Sequence, residues 1–195
     1  MYGAFADPYC YPGTTVLKNI PELRDAKALE RYELSLSDQR AREPFPVGRL
    51  SVRHYRSIHW HLFRDVYAWA GRFRTIRIAK EQSVFCFPEN IANEMKRVFA
   101  DLRGAQFLRG LTAEAFVVSA AHVLSEVNAI HPFREGNGRT QFAFMALLGV
   151  VAGHPLDFAQ LERERYLSAI KESFRGDERS LAAELRRFVT ISRSE

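Results

Sequence analysis

Residues 131–139 read His-Pro-Phe-Arg-Glu-Gly-Asn-Gly-Arg, or HPFREGNGR, and the way this stretch must fold decides how the rest of the chain is arranged. Pro132 disfavours helical φ/ψ at His131, so the histidine is expected at the mouth of a loop, where a preceding helix ends. Gly136 and Gly138 are expected to let the backbone fold tightly around Asn137, with their N–H groups converging on one point. A strongly apolar helix follows at once, and its positive N-terminal end faces the same point. The expected result is an anion site with a base beside it.

Arg139 adds a planar cationic fork suited to phosphate oxygens. Glu135 has the opposite sign and would repel a phosphate, a conflict that a Mg²⁺ bridging carboxylate and phosphate oxygens resolves. An unperturbed histidine, with a pKa of about 6.5, suits removal of a proton from an attacking group near neutrality. The residues therefore read as a phosphate-transfer site with His131 as the base. Phe133 reads as a core anchor that pins the loop.

The same stretch resembles the signature of the Fic family, His-x-Phe-x-[Asp/Glu]-Gly-Asn-Gly-Arg-x-x-Arg, and matches it at His131, Phe133, Glu135, Gly136, Asn137, Gly138 and Arg139. The last arginine of the pattern falls on Phe142. Outside the signature, the segments beginning Asp7-Pro8-Tyr9 and Tyr11-Pro12-Gly13, the stretch Val16 to Asn19, and LFRDVYAWAG at 62–71 also look like Fic sequences, the first two like the toxin subgroup. The resemblance implies an all-α Fic fold, a helical bundle around a central apolar helix with a β-hairpin flap. It also implies transfer of AMP from ATP to a Tyr, Thr or Ser hydroxyl of a target protein. In that reaction His131 takes the proton and Glu135 holds Mg²⁺. The backbone from Gly136 to Gly138, with the Asn137 side chain, stabilises phosphate charge, and Arg139 clamps the leaving pyrophosphate.

Phe142 follows Arg139 by three residues and is expected on nearly the same helical face, near the terminal phosphates. Loss of an arginine there removes a charge-assisted hydrogen bond of about 1.5 to 3 kcal/mol, so attenuated transfer is expected. The alternatives are a different nucleotide donor and a catalytically impaired binding protein. By the same resemblance the target docks along the flap at Thr75, Ile76, Arg77, Ile78, Ala79 and Lys80. The implied targets are ATPase subunits of type II topoisomerases, and the implied regulator is a small separate antitoxin with an inhibitory helix. The family's inhibitory pattern, [Ser/Thr]-x-x-x-Glu-[Gly/Asn], is approached at Ser180 to Glu184. Leu185 follows instead of Gly or Asn, so this segment reads as core helix.

The 195 residues are 47% hydrophobic and 26% charged, which is enough for one domain, 1–195, with a sizeable core. Net charge is +5, with 28 basic and 23 acidic residues. The arginines are interleaved with acids, so a solvated surface is expected and no nucleic-acid track. Cys10 and Cys86 have no metal-like spacing, and a reducing cytoplasm suits them. The first eleven residues lack the pattern of an export signal, and the longest apolar run, Phe142 to Ala152, is too short to span a bilayer. A cytoplasmic protein without membrane partners is expected.

Along the chain, residues 1–20 read as an extended segment. Helices are expected over Pro21–Arg42, with apolar positions at Leu29, Leu34 and Leu36, and over Leu50–Trp69 with Gly71 as C-cap. His59, Phe63 and Tyr67 share a face in the second. His54, His59 and His61 lack a carboxylate-histidine spacing and read as core or surface histidines. Arg74 to Phe87 changes period to alternation and reads as a hairpin around Glu81-Gln82-Ser83, with an edge open to an extended segment. Pro88 opens a helix striped by Ile91, Met95, Val98, Phe99 and Leu102, and Gly104 or Gly110 ends it. Thr112 caps the next, whose Phe116, Ala120, Val123, Leu124 and Val127 share a face. Gln141–Val151 is apolar all round and is expected in the middle of the bundle, stopped by Gly153 and Pro155. Helices over Phe158–Phe174 and Arg179–Ile191 complete the chain.

Overall fold

The computed structural model describes residues 7–80 and 83–190. These form α1 (Ala26–Ala41), α2 (Val52–Phe63), α3 (Pro88–Gly104), α4 (Ala113–Ile130), α5 (Asn137–Ala152), α6 (Arg163–Phe174) and α7 (Arg179–Phe188). A 3-10 turn at Gln106–Leu108 and two short strands, β1 (Ala79–Lys80) and β2 (Ser83–Val84), complete the described elements. The class is all-α, as expected.

The bundle is built around α4. The Thr112 hydroxyl accepts from the Ala115 N–H and starts this helix, and its stripe of Phe116, Ala120, Val123, Leu124 and Val127 is buried. It packs against α3, α5, α6 and α7. Its length and composition would suffice to cross a membrane, yet half of it is buried inside the fold, as befits a core helix. Pro88 opens α3 at its first position, and all five stripe residues from Ile91 to Leu102 are buried. Burying each such side chain contributes about 1.5 to 3 kcal/mol.

The apolar helix α5 packs on α2 and α4, with Phe144, Met145 and Leu148 fully enclosed. It is not sheathed all round, since Val150 is 65% exposed. Gly153, at φ +85°, ends it in the left-handed conformation that glycine tolerates.

Several boundaries differ from the sequence reading. Helix α1 begins at Ala26, because the Asp25 carboxylate caps it through the Ala28 N–H. Its inner face is not the expected leucine stripe. Leu29, Glu33 and Ser37 are buried at fourfold spacing, while Leu34 is 53% exposed. Helix α2 stops at Phe63, and Gly71 is not its cap: residues 64–71 form turns, and the Gly71 N–H donates to His59 Nδ1 at 2.8 Å. Helix α6 starts at Arg163 rather than Phe158, and α7 ends at Phe188, three residues before the expected Ile191, which lies outside the described residues.

The hairpin exists but is short. Ala79 pairs with Val84 and Lys80 with Ser83, antiparallel, and one more bond runs from the Phe85 N–H to the Ile78 carbonyl at 3.3 Å. The expected turn residues Glu81 and Gln82 lie outside the described residues. Thr75 to Ile78 carry no ladder, although Ile76 and Ile78 are half-buried and alternate with exposed Thr75 and Arg77. Residues 10–17 close a turn through a Cys10–Leu17 bridge, and Tyr9 reaches the flap base, its hydroxyl accepting from the Thr75 N–H at 3.1 Å.

Candidate active site

His131 ends α4 in the left-handed conformation (φ 49°, ψ 62°), with its N–H still bonded to the Val127 carbonyl at 3.0 Å. Pro132 excludes the helical alternative, so the imidazole leaves the helix axis and lines a cleft of about 1460 Å³. Its ring stacks on Phe85 of the flap, centroids 4.0 Å apart and planes 20° apart. In sequence Phe85 is an ordinary hairpin position, and its place beside His131 appears only in three dimensions.

The signature loop is pinned from inside. Asn137 is buried, its Oδ1 accepting from the Phe133 N–H at 3.0 Å and its Nδ2 donating to the Phe133 carbonyl at 2.8 Å. The side chain expected to meet phosphate is thus occupied in closing the loop, which leaves the backbone for the ligand. Phe133 is fully buried and stacks on His59 at 3.8 Å.

Of the two glycines only Gly136 has positive φ, at +78°. A Cβ there would stand 2.3 Å from Phe63, so this position requires glycine on two counts. Gly138 lies in the first turn of α5 with open space where its Cβ would be. It does not turn the chain, as the sequence had suggested; it keeps the cleft wall low. Among the described residues no side chain caps α5. The Asn137, Gly138 and Arg139 N–H groups are those a helix leaves without an internal acceptor, and these residues line the cleft.

The Glu135 carboxylate is 44% exposed beside the same cleft. Its Oε1 accepts from the Gly136 N–H at 2.9 Å and stands 3.9 Å from the Arg139 guanidinium. Arg139 is held from the far side by α1: Nη2 donates to Glu33, Nη1 donates to the Ser37 hydroxyl at 2.9 Å, and the guanidinium lies 4.7 Å over Phe63. Glu33 also accepts from the Tyr67 hydroxyl, and burial together with the Glu33 charge keeps Tyr67 protonated by pushing its pKa upward. This explains the polar inner face of α1.

His59 is the second residue whose role appears only in three dimensions. A carbonyl can only accept, so its Nε2 donates to the Glu135 carbonyl at 3.0 Å while Nδ1 accepts from Gly71. Burial lowers its pKa to about 3, helped by the Arg139 charge, so it is a neutral strut under the loop. His54 and His61 likewise donate to carbonyls, of Pro46 and Arg40, both at 2.7 Å. Among the described residues no cluster of three metal-ligating side chains exists.

Phe142 lines the same cleft as Arg139, its ring packed against Phe158 (4.9 Å) and Tyr166 (4.8 Å). Thr75 lies at the base of the flap, bonded to Tyr9, whereas Ile76, Arg77, Ile78 and Ala79 line the cleft together with residues of α6; only the backbone of Lys80 is described. Glu184, in the segment that approaches the inhibitory pattern, is buried and pairs with Arg165 at 2.7 Å and Arg187 at 2.9 Å. The segment is part of the buried face of α7, as its sequence suggests, and the ion pairs of Glu184 appear only in three dimensions.

Comparison with known proteins agrees with this geometry. The profile of the Fic/DOC family matches residues 49–148. A probable protein adenylyltransferase of Sinorhizobium fredii, y4lH, is 49% identical over 96% of this chain and 98% of its own. The probable protein adenylyltransferase Fic of Escherichia coli is 33% identical over 90% of this chain and 88% of its own. The structure of the Bartonella tribocorum effector BepC with bound AMPPNP superposes with a TM-score of 0.86, at 28% identity, over 95% of this chain and 97% of that one. With the signature loop placed as described and more than half its length matched, the chain belongs to the Fic/DOC family.

Proposed function

We propose that this protein is an adenylyltransferase that moves AMP from ATP to a hydroxyl side chain of another protein. The observation that carries the reading is the convergence of His131, the uncapped first turn of α5 and Arg139 on one cleft. ATP lies with its phosphates at the Asn137–Arg139 N–H groups. His131 accepts the proton of the acceptor hydroxyl, whose oxygen bonds to the α-phosphorus. The bond from the α-phosphorus to the bridging oxygen breaks, and pyrophosphate leaves against Arg139. Gly138 lets the phosphates approach the backbone closely.

Glu135 offers one half-exposed carboxylate beside this position, a donor set that suits Mg²⁺, which takes one or two carboxylates together with phosphate oxygens and water. Bound there, Mg²⁺ would offset charge on the phosphates. An ATPase subunit of a type II topoisomerase as the acceptor, and a small antitoxin with an inhibitory helix as the regulator, are proposed on family resemblance alone. An acceptor segment would lie along Ile76–Ala79.

Phe142 supports an attenuated enzyme, because the terminal phosphates meet a ring where the signature has an arginine. A Fic-fold binding protein without turnover, or a transferase using another nucleotide, is favoured by the same residue alone. The test is incubation of a cell lysate with Mg²⁺ and ATP labelled at either the α- or the γ-phosphorus. Protein labelling from the α position only, rising about tenfold or more with Phe142→Arg, is expected. No labelling by either the parent or Phe142→Arg would overturn the reading.

A further inference from the structure

Arg74 is the residue in this molecule whose surroundings demand an explanation that the transfer chemistry has not yet used. It is 2% exposed, although arginine is among the residues least often buried. Its guanidinium meets four backbone carbonyls on three separate segments. Nε donates to His131 at 2.8 Å, Nη1 to Ile76 at 2.6 Å, and Nη2 to both Cys86 at 2.5 Å and Ile130 at 3.1 Å. Ile130 and His131 are the terminal carbonyls of α4, where a helix leaves acceptors unsatisfied and a cation is favoured. Ile76 and Cys86 belong to the two opposite legs of the flap.

Two backbone bonds bolt the same parts together. The Arg74 N–H donates to the Pro132 carbonyl at 2.9 Å, and the Cys86 N–H donates to Ala129 at 3.1 Å. Next to Cys86, Phe85 lays its ring on the His131 imidazole. Among the described residues the hairpin has two residue pairs in register. A two-stranded hairpin of that length does not hold its own position in water, so the flap's placement relative to His131 must come from its base.

We infer that Arg74 is a positioning residue that fixes both legs of the flap and His131 in one frame, so that an acceptor segment laid along Ile76–Ala79 presents its hydroxyl in register with the imidazole. The inference rests on the adenylyl-transfer reading above. Arginine is required by shape as well as by charge: a lysine is a point charge whose single nitrogen cannot span acceptors on three segments.

The experiment compares the full chain with Arg74→Lys and with Phe85→Leu, which removes the ring on His131 but leaves Arg74 in place. Three quantities are read: AMPPNP affinity, α-label transfer to lysate proteins, and amide hydrogen exchange. For Arg74→Lys, AMPPNP binding stays within about twofold while transfer falls about tenfold or more, because misplacement by about 1 Å is costly to transfer but not to nucleotide binding. The Phe85 and Cys86 amides exchange about tenfold faster or more, while those of α3 keep their protection. Phe85→Leu shows the same split between binding and transfer, and it decides the matter if Arg74→Lys does not fold. Unchanged transfer in the two variants would overturn the inference. So would transfer and AMPPNP affinity falling together, or exchange quickening equally in α3, since Arg74 would then stabilise the domain at large. A parent protein that labels nothing removes the underlying reading, and the inference with it, in a sample that does not involve Arg74.

Discussion

At the scale of single residues, the signature loop separates positions that build the site from positions that face the ligand, and the two glycines make the separation measurable. Gly136→Ala combines a left-handed backbone with a Cβ inside the Phe63 ring. It is expected to lower the stability by about 2 to 4 kcal/mol in denaturant unfolding. Gly138→Ala meets open space in a helical turn, so stability should hold within about 0.5 kcal/mol while AMPPNP affinity falls, a contrast that calorimetry would check. Equal destabilisation by both would contradict the assignment. The loop was legible in sequence because the rules that shape it act over one to three residues: proline on its predecessor, glycine at positive φ, an uncapped helix start. The exchange of roles between Asn137 and its own backbone was not legible, since it depends on the side chain folding back onto Phe133.

At the scale of elements, α1 and α2 act as the back wall of the site through residues far away in sequence. Glu33 and Arg139 are 106 positions apart, and His59 and Glu135 are 76 apart. No local pattern announces such pairs. The one available signal was the repetition of Glu33 and Ser37 at the fourfold spacing set by Leu29, which placed polar residues on the inner face of α1. By contrast α3 and α4 were legible almost to the residue, because proline, threonine and the apolar stripes act within each helix. Helix α2 was overextended because Phe63 and Tyr67 keep helical spacing even though the chain between them has already turned. Glu33→Ala is expected to cost about 3 kcal/mol, because it removes the close carboxylate partner of Arg139, with Glu135 remaining at 3.9 Å, and leaves the buried Tyr67 hydroxyl without the Glu33 acceptor. In a double-mutant cycle with Arg139→Ala the losses should fall short of additivity by at least about 1 kcal/mol; strict additivity would show that the pair contributes nothing.

At the scale of the whole molecule, acid should loosen the domain at the signature loop. His59 is held neutral by burial, with its pKa near 3, whereas an unfolded histidine titrates near 6.5. Between these values the unfolded chain binds a proton that the folded chain does not. Its contribution is therefore complete above about pH 6.5 and declines as pH falls toward 3, by about 2 kcal/mol at pH 5. His59→Gln, which does not titrate, should be less stable than the parent at pH 7 and should close much of that gap by pH 5. A gap independent of pH in urea melts would contradict the buried neutral state. The fold class was legible because most of the chain reads as helices with clear starts and stops. The hairpin is shorter than the sequence suggests because alternation continues through Ile76 and Ile78, where the Ile76 carbonyl is taken by Arg74 and Ile78 keeps a single bond to the Phe85 N–H.

The most direct test of the account is label transfer from the α-phosphorus of ATP by the parent and by His131→Ala, with AMPPNP affinity measured on the same samples. The account predicts that His131→Ala lowers transfer by about 10²- to 10⁴-fold while nucleotide affinity changes by no more than about threefold, because the phosphates rest on α5 and Arg139. Transfer that survives the loss of His131 would contradict it.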